Sequence, residues 1–470
     1  MTAGRLVLPA LRWRDDTGFR HEEPAIEAAL GFGAGGFILF GGELGAVRRL
    51  TADLRAAAGR PLLIASDLER GAGQQIRGLA ELPPPLALAS LDDRALVRGA
   101  GALTATEALS AGVDWVFAPV ADLDIEPENP IVQTRAFGED PEAVGALVAA
   151  WVAGCEAAGA LACAKHWPGH GRTRTDSHDA LPVVDAPAEL LYATDMVPFA
   201  SAVAAGVSSI MTAHVAYSSL DPSGAPATFS KPILDILREE IGFSGLIVSD
   251  ALMMEGARAG RTEADGAIDA LLAGVDLLLY PREPAVVAAE LERRAGSDAL
   301  VRARVDDALG RLDAIARRPP ARVPAEIESG STAAAADWLL SAPLLRGTPP
   351  AIETPVELVV VDDDLGGRWP AVPLDHVEAT LHDQGVAIAS GGTRVVLAAA
   401  SPRASKGRPG FGPESLAALA RHAADAALVV LFGHPRLAAE IPGSAPLLLA
   451  WHRQRLMQAA AARWIAAHRA

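Results

Sequence analysis

Short apolar runs, each bounded by glycine, proline or charge, recur through the first two thirds of the chain. They are "RLVLPAL" (5–11), "GGFILF" (35–40), "PLLIASD" (61–67), "DWVFAPV" (114–120), "LACAKHW" (161–167), "SSIMTAHV" (208–215), "GLIVSDA" (245–251) and "VDLLLYP" (275–281). Segments rich in Ala, Leu and Glu with helical spacing separate them. Strands that read as continuous hydrophobic runs are covered on their outer face, and eight of them alternating with helices predict a (β/α)8 TIM-type barrel. A doubly wound open sheet is the rival that the strand count leaves standing.

At "RRPPARVPAEIESG" (317–330) proline and charge replace the periodicity. Such a break predicts a linker. "STAAAADWLLSAPLLR" (331–346) then reads as a connecting helix. Beyond it, "VELVVVD" (356–362), "RVVLAAA" (394–400), "ALVVLFG" (427–433) and "APLLLAW" (445–451) alternate with helical "ESLAALARHAAD" (414–425) and "RLMQAAAARWIAA" (455–467). This pattern predicts a smaller α/β domain. The expected division is a barrel over 1–316, a linker and helix over 317–350, and the second domain over 351–470.

Composition narrows the function. A chain of 470 residues exceeds one ordinary core, and 50% apolar content is ample for two. The net charge of −17 argues against nucleic acid and anionic membrane, which both need clustered Lys and Arg. No basic segment followed by a sustained apolar stretch opens the chain, and no run reaches the roughly 18 apolar residues of a membrane span. The expectation is a soluble, cytoplasmic protein acting on a small molecule, with no cofactor and with the oligomeric state open. Cys155 and Cys163, the only two cysteines, rule out a disulfide framework and read as small buried apolar residues.

Polar groups gather where the strands end: Asp67, Asp122, Lys165 with His166, His214, and Asp250. The C-terminal strand ends of a barrel converge on one site. In "KHWPGHGRTRTDSHDALP" (165–182), Asp176 lies two residues before His178, close enough to hold the imidazole in one tautomer as a proton shuttle. The competing reading is a loop whose Asp176 caps the next helix. Asp250, at the end of a buried strand, is costly unless paired or used. Facing a proton shuttle, it suits covalent catalysis at a sugar carbon, although an Asp capping the following helix is the bland alternative.

These residues carry a resemblance. "KHWPGHG" followed by "DSH", with "GLIVSDALMM" downstream and "VADLDIEPENPIVQTRAFGEDP" (120–141) before it, resembles family 3 glycoside hydrolases of the β-N-acetylhexosaminidase type over roughly residues 1–315. The resemblance implies a retaining hydrolase that removes terminal β-linked N-acetylglucosamine from peptidoglycan- or chitin-derived oligosaccharides. It implies Asp250 as nucleophile and His178, paired with Asp176, as acid/base. Asp67, Arg135, Lys165 and His166 would hydrogen-bond the hydroxyls and the N-acetyl group of the sugar, and His214 matches a pocket residue. Two departures stand out: "DLERGAGQQ" places Ala72 where relatives commonly carry Arg, and Trp167 replaces the more usual Phe after the Lys-His pair.

Rival functions remain at this level. His166, His170, His178, His214 and Asp250 are metal-ligand types, although the first strand lacks the His-x-His pair that metal-dependent barrel hydrolases usually place there. A phosphorylase would use the same dyad with phosphate as acceptor, because a neutral base repels an anion less than a carboxylate does. A β-glucosidase of the same family is the nearest alternative in substrate, and its acid/base would come from the second domain. No carboxylate for that role is identifiable there; Gly/Pro-rich "SPRASKGRPGFGPES" (401–415) reads as a solvent-exposed connection, with a loop that reaches the barrel mouth as the alternative. A catalytically inactive sugar-binding protein is the non-enzyme alternative.

Overall fold

The computed structural model describes residues 2–470 except 259–260, 318–329, 365–370, 402–405 and 407. Most of the expected linker, and part of the 401–415 loop, therefore lie outside the described residues. The chain groups into two compact units, one of residues 1–80, 93–126 and 136–327, the other of residues 81–92, 127–135 and 328–470.

The first unit is an eight-stranded parallel barrel. Strand β1 runs in two pieces, Val7–Leu8 and Ala10–Arg12. Pro9, which has no N–H to donate, divides them. The remaining strands are β2 (Gly36–Phe40), β3 (Leu63–Ser66), β4 (Trp115–Val116), β5 (Leu161–Trp167), β6 (Ser209–Thr212), β7 (Leu246–Val248) and β8 (Leu278–Leu279). Each pairs in parallel with its neighbours from β1 to β7. A bridge from Val248 to Leu277 joins β7 to β8, and Val7 and Leu8 pair with Leu278 and Leu279. That last pairing closes the sheet and removes the open-sheet alternative.

All eight apolar runs thus became barrel strands. Helices follow them as a βα repeat requires, among them Glu23–Phe32, Leu44–Ala58, Arg94–Ser110, Pro141–Ala158, Val197–Ala204, Glu263–Ala273 and Pro284–Ser297. Local chemistry sets their ends. Asp140 accepts from the Ala143 amide at 2.8 Å and Pro141 occupies the first turn, while Gly159 leaves that helix at φ 96°. The helices 94–110 and 141–158 cross closely on glycine: a Cβ on Gly154 would lie 2.0 Å from the Arg98 carbonyl oxygen.

The second unit holds four parallel strands in sequential order, β9 (Val356–Asp362), β10 (Thr393–Ala400), β11 (Leu428–Gly433) and β12 (Leu447–Leu449). Alternation along β10 and β11 splits its core. Val395, Leu397, Val430 and Phe432 pack with residues of Gly330–Leu340, Asp375–Asp383 and Arg455–Ala467, whereas Val396, Ala398 and Leu431 pack with Leu419. The helix at 375–383 had no counterpart in the sequence reading. Cys155 and Cys163 are both buried thiols. Among the described residues no helix is long and apolar enough to cross a membrane.

Candidate active site

The C-terminal ends of β3, β5, β6 and β7 bring together most of the residues singled out in the sequence. Lys165, 2% exposed, sets its Nζ 2.6 Å from Asp67 Oδ1 and 2.8 Å from Glu69 Oε1. Because β4 lies between β3 and β5, this ion pair reaches over the end of β4. Two carboxylates on one ammonium leave the trio with a net negative charge and a dense set of acceptors.

The pairing of β5 with β6 slips between Lys165 and Trp167, which face Met211 and Thr212, so His166 is the inserted residue. A bulge of this kind re-aims a side chain next to a site. The Lys165–His166 peptide is cis. His166 is anchored by Asp122, a carboxylate with no exposed surface that takes the His166 Nδ1 at 2.7 Å, the His166 amide at 3.1 Å and the His170 amide at 2.6 Å. A carboxylate only accepts, so the Nδ1 proton belongs to His166 and its Nε2 is set toward other partners. Burial opposes ionisation of Asp122, but His166 and His170 outweigh it and hold the carboxyl below the usual carboxylate range.

The loop after β5 is tied at several points. His170 is buried, its Nδ1 2.7 Å from Thr173 Oγ1 and its Nε2 3.1 Å from Ser177 Oγ. Burial pushes its pKa down to about 4, so near neutrality it is an uncharged brace. Ser177 is also held by the Gly256 amide, which donates to its carbonyl at 3.1 Å. The far end is fixed where Val183–Val184 pairs with Ala216–Tyr217. Within this frame Asp176, 3% exposed, accepts from both the amide and the Nδ1 of His178 at 2.8 Å each. Asp176 does not cap a helix; it fixes an imidazole whose side chain is 41% exposed.

Asp250 follows β7, and the Ala251 amide donates to its Oδ1 at 2.7 Å. Burial opposes its charge, yet His166, His214, that amide and His178 together hold its carboxyl below the usual range. His214 is fully buried between Thr228 Oγ1, 2.8 Å from its Nδ1, and the Ala251 carbonyl, 3.1 Å from its Nε2. Both ring nitrogens are therefore engaged within the protein. Burial, offset in part by Asp250, lowers its pKa. Arg135 closes a 3-10 turn, Gln133–Arg135, in the segment 127–135 that groups with the second unit, and its guanidinium donates to the Ile131 carbonyl at 3.3 Å.

Sequence reasoning passed over Glu69 and His170 as parts of this assembly and noticed Asp122 without giving it a role. The signals were present: Glu69 stands two residues after Asp67, and Asp122 is a lone acid behind the apolar "DWVFAPV". No group of three or more metal-ligating side chains is drawn together among the described residues.

A carboxylate held below its usual range, an aspartate-oriented histidine and a charged Lys–carboxylate cluster at the strand ends of a barrel are an arrangement that a glycosidase can use. The model of the glycosyl hydrolase family 3 N-terminal domain matches residues 20–315, and the chain belongs to that family and is a glycosidase. A β-hexosaminidase of Chromobacterium violaceum is 41% identical over 261 residues, 53% of this chain and 72% of the relative. One from Tolumonas auensis is 42% identical over 253 residues, 52% of this chain and 75% of the relative. Among solved structures, a family 3 β-N-acetylglucosaminidase from Paenibacillus sp. superposes with a TM-score of 0.86 at 26% identity, covering 100% of this chain and 96% of that one. A β-glucoside phosphorylase shares the fold with a TM-score of 0.82 at 21% identity, covering 100% of this chain and 91% of that one.

Proposed function

We propose that the protein is a retaining β-N-acetylglucosaminidase that works through a glycosyl-enzyme on Asp250. The observation that carries this reading is the pairing of unlike groups: a carboxylate held ionised at the end of β7 and an exposed imidazole oriented by buried Asp176. In the first step His178 donates a proton from Nε2 to the glycosidic oxygen while Asp250 attacks the anomeric carbon. In the second, His178 takes a proton from water as it displaces the carboxylate. The Nδ1–H bond to Asp176 orients the ring and supports its charged form.

Asp67, Lys165 and His166 bind the sugar, their acceptors and donors matching vicinal hydroxyls. His214 serves by holding the Ala251 carbonyl and with it the backbone behind the nucleophile. The substrates are oligosaccharides from peptidoglycan or chitin, trimmed in the cytoplasm. Release of p-nitrophenol from the β-N-acetylglucosaminide and the β-glucoside, by wild type and Asp250→Asn, with and without phosphate, tests the reading. Preference for the first substrate, lost in the variant, supports it. Phosphate stimulation would move it to a phosphorylase, and sugar binding without turnover to an inactive receptor.

A further inference from the structure

The proposed nucleophile and the proposed acid/base stand on different segments, Asp250 behind β7 and His178 in the loop after β5, and the reaction needs both held at a fixed separation from one sugar. One contact joins the two segments directly. The Gly256 amide donates to the Ser177 carbonyl at 3.1 Å. That carbonyl belongs to the peptide joining Ser177 to His178, and the N–H of the same peptide donates to Asp176 Oδ1 at 2.8 Å. The peptide that carries His178 is therefore bound on both sides, one to its dyad partner and the other to the nucleophile's segment.

Hydrogen bonds fix the course of the chain from Asp250 to Gly256. The Ala251 amide donates to Asp250 Oδ1 at 2.7 Å, and the Ala251 carbonyl accepts from the Met254 amide at 3.0 Å and lies 3.1 Å from His214 Nε2. The Leu252 amide donates to the Leu279 carbonyl of β8 at 2.9 Å. This turn leads into the short helix Glu255–Arg258, where Gly256 is buried. A Cβ on Gly256 would lie 2.9 Å from the Ser177 carbonyl oxygen and 3.2 Å from both the Cβ and the carbonyl oxygen of His214. The segments after β5, β6 and β7 meet there with no room for a side chain. Gly256 is not among the left-handed glycines, so it answers to this close approach and not to a turn.

We propose that Gly256 is a positioning residue for the acid/base: its missing side chain lets the Ser177 carbonyl seat against the nucleophile's segment, and this sets where the His178 imidazole stands relative to Asp250. The assignment rests on the glycosidase mechanism above. Ser177 carries the tie onward into the loop, its Oγ 3.1 Å from His170 Nε2, while the His170 amide is held by Asp122. In Gly256→Ala the new methyl meets a backbone oxygen, which cannot swing aside as the end of a flexible side chain would. C···O contacts of this kind rest at about 3.3–3.6 Å, so the carbonyl retreats by roughly half an ångström. The peptide turns with it, and the imidazole attached to that peptide leaves its place. A misplacement of about 1 Å can cost about a hundredfold in a catalysed step, so about tenfold is expected here.

The test is kcat/KM on the phenyl and p-nitrophenyl β-N-acetylglucosaminides for wild type, Gly256→Ala, Ser177→Ala and His178→Ala, beside urea unfolding. This parameter reports the first step, in which a departing phenol needs a proton and p-nitrophenol needs it much less. Gly256→Ala is expected to lose about tenfold on the phenyl glycoside and less than about threefold on the p-nitrophenyl one. Ser177→Ala, which removes the hydroxyl tie to His170 and leaves Gly256 uncrowded, shifts the same ratio in the same direction and carries the test where Gly256→Ala does not fold. General loosening of the fold lowers both substrates alike, so an equal fall on both, or wild-type rates on both, overturns the assignment. Where His178→Ala itself falls equally on both substrates, the acid/base reading fails first and this positioning role with it.

Discussion

Replacing Asp122 separates the backbone that this carboxylate holds from the tautomer it sets. Asp122 has no exposed surface and receives three donors, the amides of His166 and His170 on Oδ1 and the imidazole Nδ1–H of His166 on Oδ2. In Asp122→Ala all three are left in a dry site. At roughly 1–3 kcal/mol for each unsatisfied buried donor, the variant loses on the order of 3–6 kcal/mol of stability. Asp122→Asn is more informative. Its amide oxygen can keep both backbone donors, while its NH2 faces His166 Nδ1 and forces the imidazole proton to Nε2. The loss is then one charge-assisted hydrogen bond, about 1.5–3 kcal/mol. The ring nitrogen turned away from residue 122 then carries the proton of the neutral imidazole.

The expected result is a folded Asp122→Asn protein with kcat/KM reduced about 10- to 100-fold, the size of one misplaced hydrogen bond in the transition state. Urea unfolding and p-nitrophenol release measure the two effects separately. The sign with pH follows from the lowered folded pKa of Asp122. Its stabilisation is complete above the unfolded carboxylate value of roughly 4 and fades as pH falls through the lower folded value. The stability gap between wild type and Asp122→Asn should therefore close in acid. A variant as active and stable as wild type, or a gap that widens in acid, would refute the reasoning.

Asp250→Asn should cut turnover by at least about a thousandfold while sugar binding persists, since covalent catalysis is lost and the pocket is kept; calorimetry of N-acetylglucosamine binding beside the rate assay checks both halves. His178→Ala should lose about 10²- to 10⁴-fold on substrates with poor leaving groups and much less on the activated nitrophenyl glycoside's first step, because proton donation matters little there. A loss independent of leaving group would remove the acid/base role. Lys165→Met leaves Asp67 and Glu69 facing each other without their cation, and should cost about 3–5 kcal/mol in chemical denaturation, the lower end because Asp67 retains contact with water. Stability equal to wild type would mean that the two carboxylates relax apart or take up a proton.

The barrel was legible because each strand is covered by helices and reads as an unbroken apolar run, so the eight runs could be counted directly. Its closure was not. It depends on Val7 and Leu8 meeting Leu278 and Leu279, a contact across 271 residues that no local pattern encodes. The dyad was legible because Asp176 and His178 are neighbours in sequence. The Lys165 trio and the Asp122 hub were not, since their partners come from other strands and look like ordinary strand-end acids.

On the proposed mechanism, the electrostatic design of the site accounts for the choice of an imidazole as the shuttle. The mouth already holds Asp67, Glu69, Asp122 and Asp250, with Lys165 as the cation bound into the first pair. A carboxylic acid in the place of His178 would interact with the Asp250 charge as one acid of a coupled pair, and like charges push such pKa values apart. The histidines act in the opposite sense: His166, His214 and His178 each help to hold Asp250 ionised. The proposed nucleophile can thus stay charged in a half-buried site while the proposed acid/base cycles between neutral and protonated forms. Asp176, almost wholly buried, supplies the orientation without adding a solvent-exposed acid to the mouth.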